Sequence, residues 1–488
     1  MFFTPAHGGA DRAFELVRQS LLQDESLPFA DALTAEHIQQ AFDAEGVWFG
    51  EANGDANAGP EDDDGIVYTP EVTLWAMLSQ ALLTDTQRAC VAAVQRVAVY
   101  YVLLGRMISS TNTGGYCRAR AQVTVGVVQR LVEGLALRCE SSVPDEWLWF
   151  GHRTLKLDGT TCSMPDTKKN QAEYRQPSSQ AEGLGFPMLR AVALTSLATG
   201  MVMALAIGPY AGKETGETAL FRTLFGKLRP GDLILADRYY GGWFMLALLR
   251  ELGVEFVTRL HQLRDADFSQ GQRLGKGDHL TRWTKPPKPE WLDQETYDRL
   301  PEQLEMRELE VRVDIPGFRT ESLVVVTSLF DHKTYPRAEI SDLYRRRWVI
   351  ELELRDIKST MSLDVLRRKT PEAVRQELWT GLLAYNLIRQ SMLQSALAAD
   401  CRPQQLSFAA SLQMLANTWV LAGVPPLASV SARERLVALR ILNGHSHRVG
   451  NRPNRVEPRA VKRRPAPLAL LTEPRATAKA RLLAGQKS

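Results

Sequence analysis

Residues 344–358 read YRRRWVIELELRDIK, which sets Tyr344, Arg347, Glu351 and Lys358 at offsets of zero, three, seven and fourteen. On one helix turning about 100° per residue these offsets fall at roughly 0°, −60°, −20° and −40°. One narrow stripe then carries a phenol, two cations and a carboxylate. Taken alone, it is an ordinary solvated face with Glu-to-Lys support. Two upstream aspartates, Asp158 and Asp237, change its meaning, because each follows a short apolar strand-like run. Three carboxylates on one cavity can hold two divalent cations roughly 3.5–4 Å apart, one activating a water or hydroxyl and the other stabilising the leaving oxygen of a phosphodiester. Hard oxygen donors without a His/Cys set favour Mg²⁺ or Mn²⁺ over zinc. Asp158, Asp237 and Glu351 are therefore both the candidate catalytic residues and the candidate metal ligands.

The surrounding elements have to bring these three together. Residues 154–160 alternate as a strand that breaks at Asp158-Gly159, and 232–237 form a short apolar strand ending on Asp237. Between them, 191–208 is uncharged over eighteen residues, near the lower limit for a membrane span. Thr199-Gly200 near its middle predicts a buried β-hairpin instead. Helices are expected over 217–228 and 240–252, and a strand over 255–260. This order predicts an α/β mixed sheet with flanking helices, in which ligands bind at the carboxyl ends of strands. Residues 262–328 lose the pattern and read as a β-rich insertion, with strands at 309–313 and 323–328. Ile350, Leu354, Ile357 and Met361 supply a second, apolar stripe that would press the 344–358 helix onto the core. Thr370-Pro371 opens another helix. Upstream, 70–137 carries helical spacing, and Gly114-Gly115 precedes a basic helix start with Arg118 and Arg120, which could meet phosphate.

At 488 residues and 44% hydrophobic content, two or three domains are expected. Net charge is only +3 but uneven: from Arg448 onward eleven Lys and Arg stand against two Glu, a balance of +9, so the first 447 residues sum to −6. Such a proline-bearing basic tail suits contact with phosphates better than burial. Five scattered cysteines, with no CxxC, indicate reduced thiols in a cytoplasmic protein, and no signal peptide is apparent. Three further signals are set aside. The 208–214 stretch lacks the spacing and the Ser or Thr of a phosphate loop. His445 and His447 read as a surface pair, and Cys162 as an inert thiol.

The segments KLDGTT, MPDTKKNQAEY, GLGFP, PYAGKETGE, GDLILADRYY and YRRRWVIELELRDIK resemble, in order, stretches of the insertion-sequence-four family of bacterial DDE transposases. The resemblance runs from about Leu74 to Arg389. It implies a ribonuclease-H-like catalytic domain, preceded by a small all-α domain. It also implies that Asp158, Asp237 and Glu351 are the DDE triad and that Tyr344, Arg347 and Lys358 touch phosphates near a transposon end. In such enzymes a tryptophan of the β insertion stacks on a displaced base, a role open here to Trp283 or Trp291. The implied organisation is an N-terminal segment with an acidic linker (1–65), a helical DNA-binding domain (66–145) and the catalytic domain (146–395) with its insertion at about 262–328. A helical region (396–447) and a basic, disordered tail (448–488) complete it. The implied activity is Mg²⁺-dependent (or Mn²⁺-dependent) cleavage of terminal inverted repeats in double-stranded DNA and strand transfer into target DNA, by a homodimer without membrane attachment. The alternative is a domesticated descendant that binds DNA without cutting it.

Overall fold

The computed structural model describes residues 33–47, 67–103, 108–181, 183–312, 322–421, 430–449 and 472–484. The acidic linker and most of the basic tail lie outside these residues.

The amino-terminal part is helical: α1 (Ala35–Ala44), α2 (Pro70–Leu82), α3 (Cys90–Leu103), α4 (Thr113–Gln122) and α5 (Val125–Ser141). Thr34, Thr69, Asn112 and Thr124 cap α1, α2, α4 and α5, each side chain accepting from a backbone N–H of the first turn, which satisfies donors the helix cannot. Helix α4 starts at Thr113, so the two glycines lie in its first turn rather than in a preceding turn.

A nine-stranded sheet follows, in the order β3-β2-β1-β4-β5-β9-β8-β7-β6. Its strands are β1 (Thr154–Ser163), β2 (Met188–Ser196), β3 (Val202–Pro209), β4 (Leu233–Ala236), β5 (Glu255–Arg259), β6 (Gln272–Gly275), β7 (Asp278–Thr284), β8 (Gln303–Arg312) and β9 (Ser322–Thr327). The connecting helices are α6 (Lys168–Glu173), α7 (Glu217–Arg222), α8 (Trp243–Glu251) and α9 (Gln294–Arg299). Strands β1, β4 and β5 run parallel and every other pairing is antiparallel, so the sheet is mixed, as expected. The uncharged 191–208 stretch is the β2–β3 hairpin, turned at Gly200 with φ +73°. No described helix is long and apolar enough to cross a membrane.

Two expectations need correction. Strand β1 does not stop at Asp158, because β2 continues to pair with it from Leu155 to Ser163. Only its parallel partner β4 ends there. The stretch expected as one helix over 344–358 is three pieces: α10 (Arg337–Arg346), α11 (Val349–Arg355) after a break at Arg347-Trp348, and a π-turn at Asp356–Thr360. The break lets the two segments serve different cores. Ile340, Leu343 and Tyr344 pack with Leu233, Leu235 and Val257, whereas Ile350, Leu354, Ile357 and Met361 join the larger cluster.

The strands of the 262–328 insertion continue the same sheet, since β9 pairs with both β5 and β8. Buried Arg307 on β8 meets Asp278 of β7 through two bonds of 2.9 and 2.7 Å and donates to the carbonyls of Leu329 and Tyr335. The insertion thus fixes the chain that leads into α10. The last helices are α12 (Pro371–Ala398), α13 (Phe408–Leu421), α14 (Val430–Ser446) and α15 (Arg475–Leu483). Thr370 caps α12 and Pro371 sits in its first turn. Helix α12 packs on α2, α5, α13 and α14, and its buried Asn386 accepts from Val202 N and donates to the carbonyls of Val202 and Val132.

Candidate active site

The parallel ladder of β1 and β4 ends at the pair Leu157↔Ala236. The next residue on each strand is an aspartate, Asp158 and Asp237, on neighbouring strands that run about 4.8 Å apart. Alternation along the strands puts both with Lys156, Leu233 and Leu235, on the sheet face that α10 covers.

Asp158 accepts from Gly159 N at 2.8 Å. Burial pushes its carboxyl up to about 6, the Gly159 N–H and Arg347 oppose this, and the carboxylates of Glu217 and Glu351 add to it. Asp237 accepts from Arg238 N at 2.7 Å, and its carbonyl takes the Thr258 hydroxyl at 2.9 Å. Buried Tyr344 is pushed up to about 12, by burial first, with Arg347 and Arg259 opposing and Asp237 adding; it is a neutral phenol. Arg347 is buried 5.4 Å from the Trp348 ring centroid and 5.9 Å from that of Tyr344, with Nη2 3.4 Å from Glu351 Oε1. The Glu351 side chain is 56% exposed.

The structure therefore brings Asp158, Asp237, Tyr344, Arg347 and Glu351 to one end of the β1/β4 ladder. Among the described residues, no three acidic, His or Cys groups are gathered closely enough to hold a metal ion. Glu351 leans on Arg347 instead. The donor chemistry nevertheless fits a hard divalent cation. Asp158 is a half-buried carboxyl whose charged form is disfavoured by its surroundings and by two like charges, and a cation there would relieve both. Half-buried Lys358, in the π-turn, acts on Cys162 further along β1.

The remaining expected residues lie elsewhere. Trp283 on β7 is buried, donates its indole N–H to Glu308 at 2.8 Å and lies under the Arg264 guanidinium, 4.1 Å from the ring centroid. Trp291 is half-buried with the Arg222 guanidinium 3.9 Å from its ring centroid. Each ring thus carries a guanidinium on one face, and Trp283 is buried whereas Trp291 is half-buried. Arg118 and Arg120 lie on α4; Arg118 is exposed, and Arg120 turns inward over the Tyr116 ring. Cys162 is buried and its thiol pushed up to about 12, as an inert thiol should be.

Two features escaped the sequence. Glu217, in the first turn of α7, accepts from the Tyr240 hydroxyl at 3.1 Å. Its carboxyl carbon lies only 2.3 Å from where a Cβ on Gly159 would be. Gly159, next to Asp158, was the available signal, since only glycine admits that approach. The second is a fully buried ion pair of Lys156 with Glu353, whose other oxygen accepts from the Thr195 hydroxyl at 3.1 Å. Arg389 of α12 stands 3.6 Å from Asp356 and hydrogen-bonds Tyr385 at 2.8 Å, closing a charge cluster that ties β1, α11 and α12 together.

Residues 149–387 match the family model described as transposase DDE domain. The InsG transposase of insertion sequence element IS4 from Escherichia coli K12 is 29% identical over 355 residues, covering 71% of this chain and 76% of that protein. The chain carries a transposase DDE domain over residues 149–387 and is similar to IS4-family transposases. The transposase of insertion sequence element IS421 from Escherichia coli matches a shorter stretch, 39% identical over 66 residues, or 14% of this chain and 18% of the relative. A match to a solved piggyBac transposase synaptic complex with hairpin DNA covers 88% of this chain and 84% of that chain at 11% identity, with a TM-score of 0.42.

Proposed function

We propose that this protein is a transposase that cleaves the ends of its element and joins them to target DNA, with Asp158, Asp237 and Glu351 holding divalent cations, Mg²⁺ or Mn²⁺, on a ribonuclease-H-like sheet. The observation that carries the reading is the shared end of the β1/β4 ladder, where Asp158 and Asp237 emerge side by side beneath the helix segments that bear Tyr344, Arg347 and Glu351. When bound, the cations would activate the attacking hydroxyl or water and stabilise the leaving oxygen. This chain's own residues do the rest. Arg347 sets a buried positive charge against Asp158 and Glu351, and Tyr344, a neutral phenol, can offer a hydrogen bond to a phosphate oxygen. Glu351, exposed and paired at 3.4 Å, can turn from Arg347 toward Asp158 with little loss. Contacts of this kind position a backbone without reading its sequence. A homodimer bringing two ends together is part of the proposal, and so are DNA contacts by the α1–α5 helices.

The test uses purified protein, a labelled terminal repeat and Mg²⁺. Glu351→Gln should bind the end as the wild type does and lose cleavage by at least about a hundredfold. Cleavage at the wild-type rate would refute the assignment. Lys358→Ala should leave chemistry on pre-bound ends largely intact while making the salt dependence of end binding shallower by about 0.9 in log–log slope. An unchanged slope removes Lys358 from the interface.

A further inference from the structure

Away from the carboxylates, two half-buried thiols meet across the amino-terminal helices. Cys90 is the first residue of α3, and Cys117 lies on α4. Arg120, one turn beyond Cys117, reaches both sulfurs: its Nη1 is 3.2 Å from Cys90 Sγ and its Nη2 4.0 Å from Cys117 Sγ. Arg368 sends Nη1 to within 4.0 Å of Cys90 Sγ, as does the Gln80 amide nitrogen. The one guanidinium thus bridges the two sulfurs, and each thiol shifts the other electrostatically. Cys90 also lines a cavity of about 600 Å³ shared with Arg88, Arg367 and Arg368, which gives a small solute a route to its sulfur.

The electrostatics differ between the two. Burial raises the Cys90 thiol, but the hydrogen bond and charge of Arg120, with Arg368 and Cys117, more than offset it and leave the group below its ordinary value. At Cys117 burial prevails over Arg120, and neighbouring Cys90 raises the thiol further. A thiol at a helix start beside guanidinium groups is the nucleophilic kind, and a second thiol in reach can resolve what it forms. Cys139 and Cys162 are buried, each raised to about 12, and cannot take this part.

We propose that Cys90 and Cys117 form a peroxide-reactive dithiol site, with Cys90 attacking, Cys117 resolving, and a disulfide joining the start of α3 to α4 as the product. The Cys90 thiolate attacks one oxygen of hydrogen peroxide. The O–O bond breaks, hydroxide leaves and takes up a proton as water, and Cys90 carries a sulfenic acid. The Cys117 sulfur then attacks the Cys90 sulfur, the S–O bond breaks, and a second water departs with the Cys117 proton. Overall, two thiols give two electrons and two protons to one peroxide, which becomes two waters.

The full reduced chain, freed of reductant, is treated with one equivalent of hydrogen peroxide at pH 7 and mapped by mass spectrometry without reduction. A cross-linked pair of peptides bearing Cys90 and Cys117 is expected. In Cys117→Ser a cyclic 1,3-dione should label Cys90, whereas in Cys90→Ser Cys117 should stay unlabelled. Should either variant fail to fold, the wild type still decides the matter. Its Cys90 should alkylate with iodoacetamide on the order of tenfold faster than Cys401, which is also half-buried. Equal alkylation rates, or peroxide oxidation of Cys90 without the cross-link, would overturn the proposal.

Discussion

At the scale of single residues, Asp158 carries the sharpest physical signature. Its carboxyl titrates near 6 in the native fold against 3.8 in an unconstrained chain. Between those values the native state still holds a proton that the unfolded chain has released. Native stability from this group is therefore fully present below about pH 3.8 and is lost as pH rises through about 6. A shift of about two units corresponds to ~3 kcal/mol at most, and contact with water lowers that to about 1–3 kcal/mol. Metal-free Asp158→Asn should consequently resist urea better than the wild type at pH 7.5, with the gap closing toward pH 4. Added Mg²⁺ should stabilise the wild type and not the variant. Equal midpoints at pH 7.5 would mean that Asp158 is not the strained acid of this site.

Elements, rather than residues, decide where Glu351 points. Helix α11 is held to β1 by the Lys156–Glu353 pair, both side chains essentially unexposed. Glu353→Ala leaves the Lys156 ammonium buried without its counter-charge, a loss of about 3–5 kcal/mol. The double replacement Lys156→Met, Glu353→Leu should recover most of that, because it removes both charges and keeps volume. Urea denaturation of the two variants measures the difference; equal losses would show that the cluster is held by Arg389 and Asp356 instead. This pair also marks the limit of the sequence. The run Leu233–Ala236 announced a buried strand, and with it Asp237, because four apolar residues between two aspartates, Asp232 and Asp237, have few other uses. The apolar stripe from Ile350 to Met361 was legible for the same reason. Nothing local marks Glu353 as buried, since its partner is 197 positions away. The break at Arg347-Trp348 was equally hidden, as no Pro or Gly marks it and its cause is the demand of two separate cores. The continuation of β1 past Asp158 depends on β2, which local pattern cannot supply.

On the scale of the whole molecule, the helical part and the sheet do not have separate interiors. One cluster of buried apolar residues includes Ile38 of α1, Leu74 of α2, Leu131 of α5, Leu157 of β1, Phe256 of β5, Leu383 of α12 and Trp419 of α13. Asn386 binds the backbone of both α5 and β3, and the Gln376 side chain of α12 donates to the carbonyls of Arg120 and Val123. Elements that share a core and its polar fastenings unfold together. Far-ultraviolet dichroism and tryptophan fluorescence should therefore report one coincident urea transition for the full chain. A fragment of residues 146–395 would lose α5 and expose the faces of α12 and β3 that it covers. Such a fragment should bind a hydrophobic dye and show no cooperative transition, even though it holds all three carboxylates. Were it instead to fold cooperatively and bind Mg²⁺, the helices would be an appended module, and contacts across α5 and α12 would be dispensable to the site.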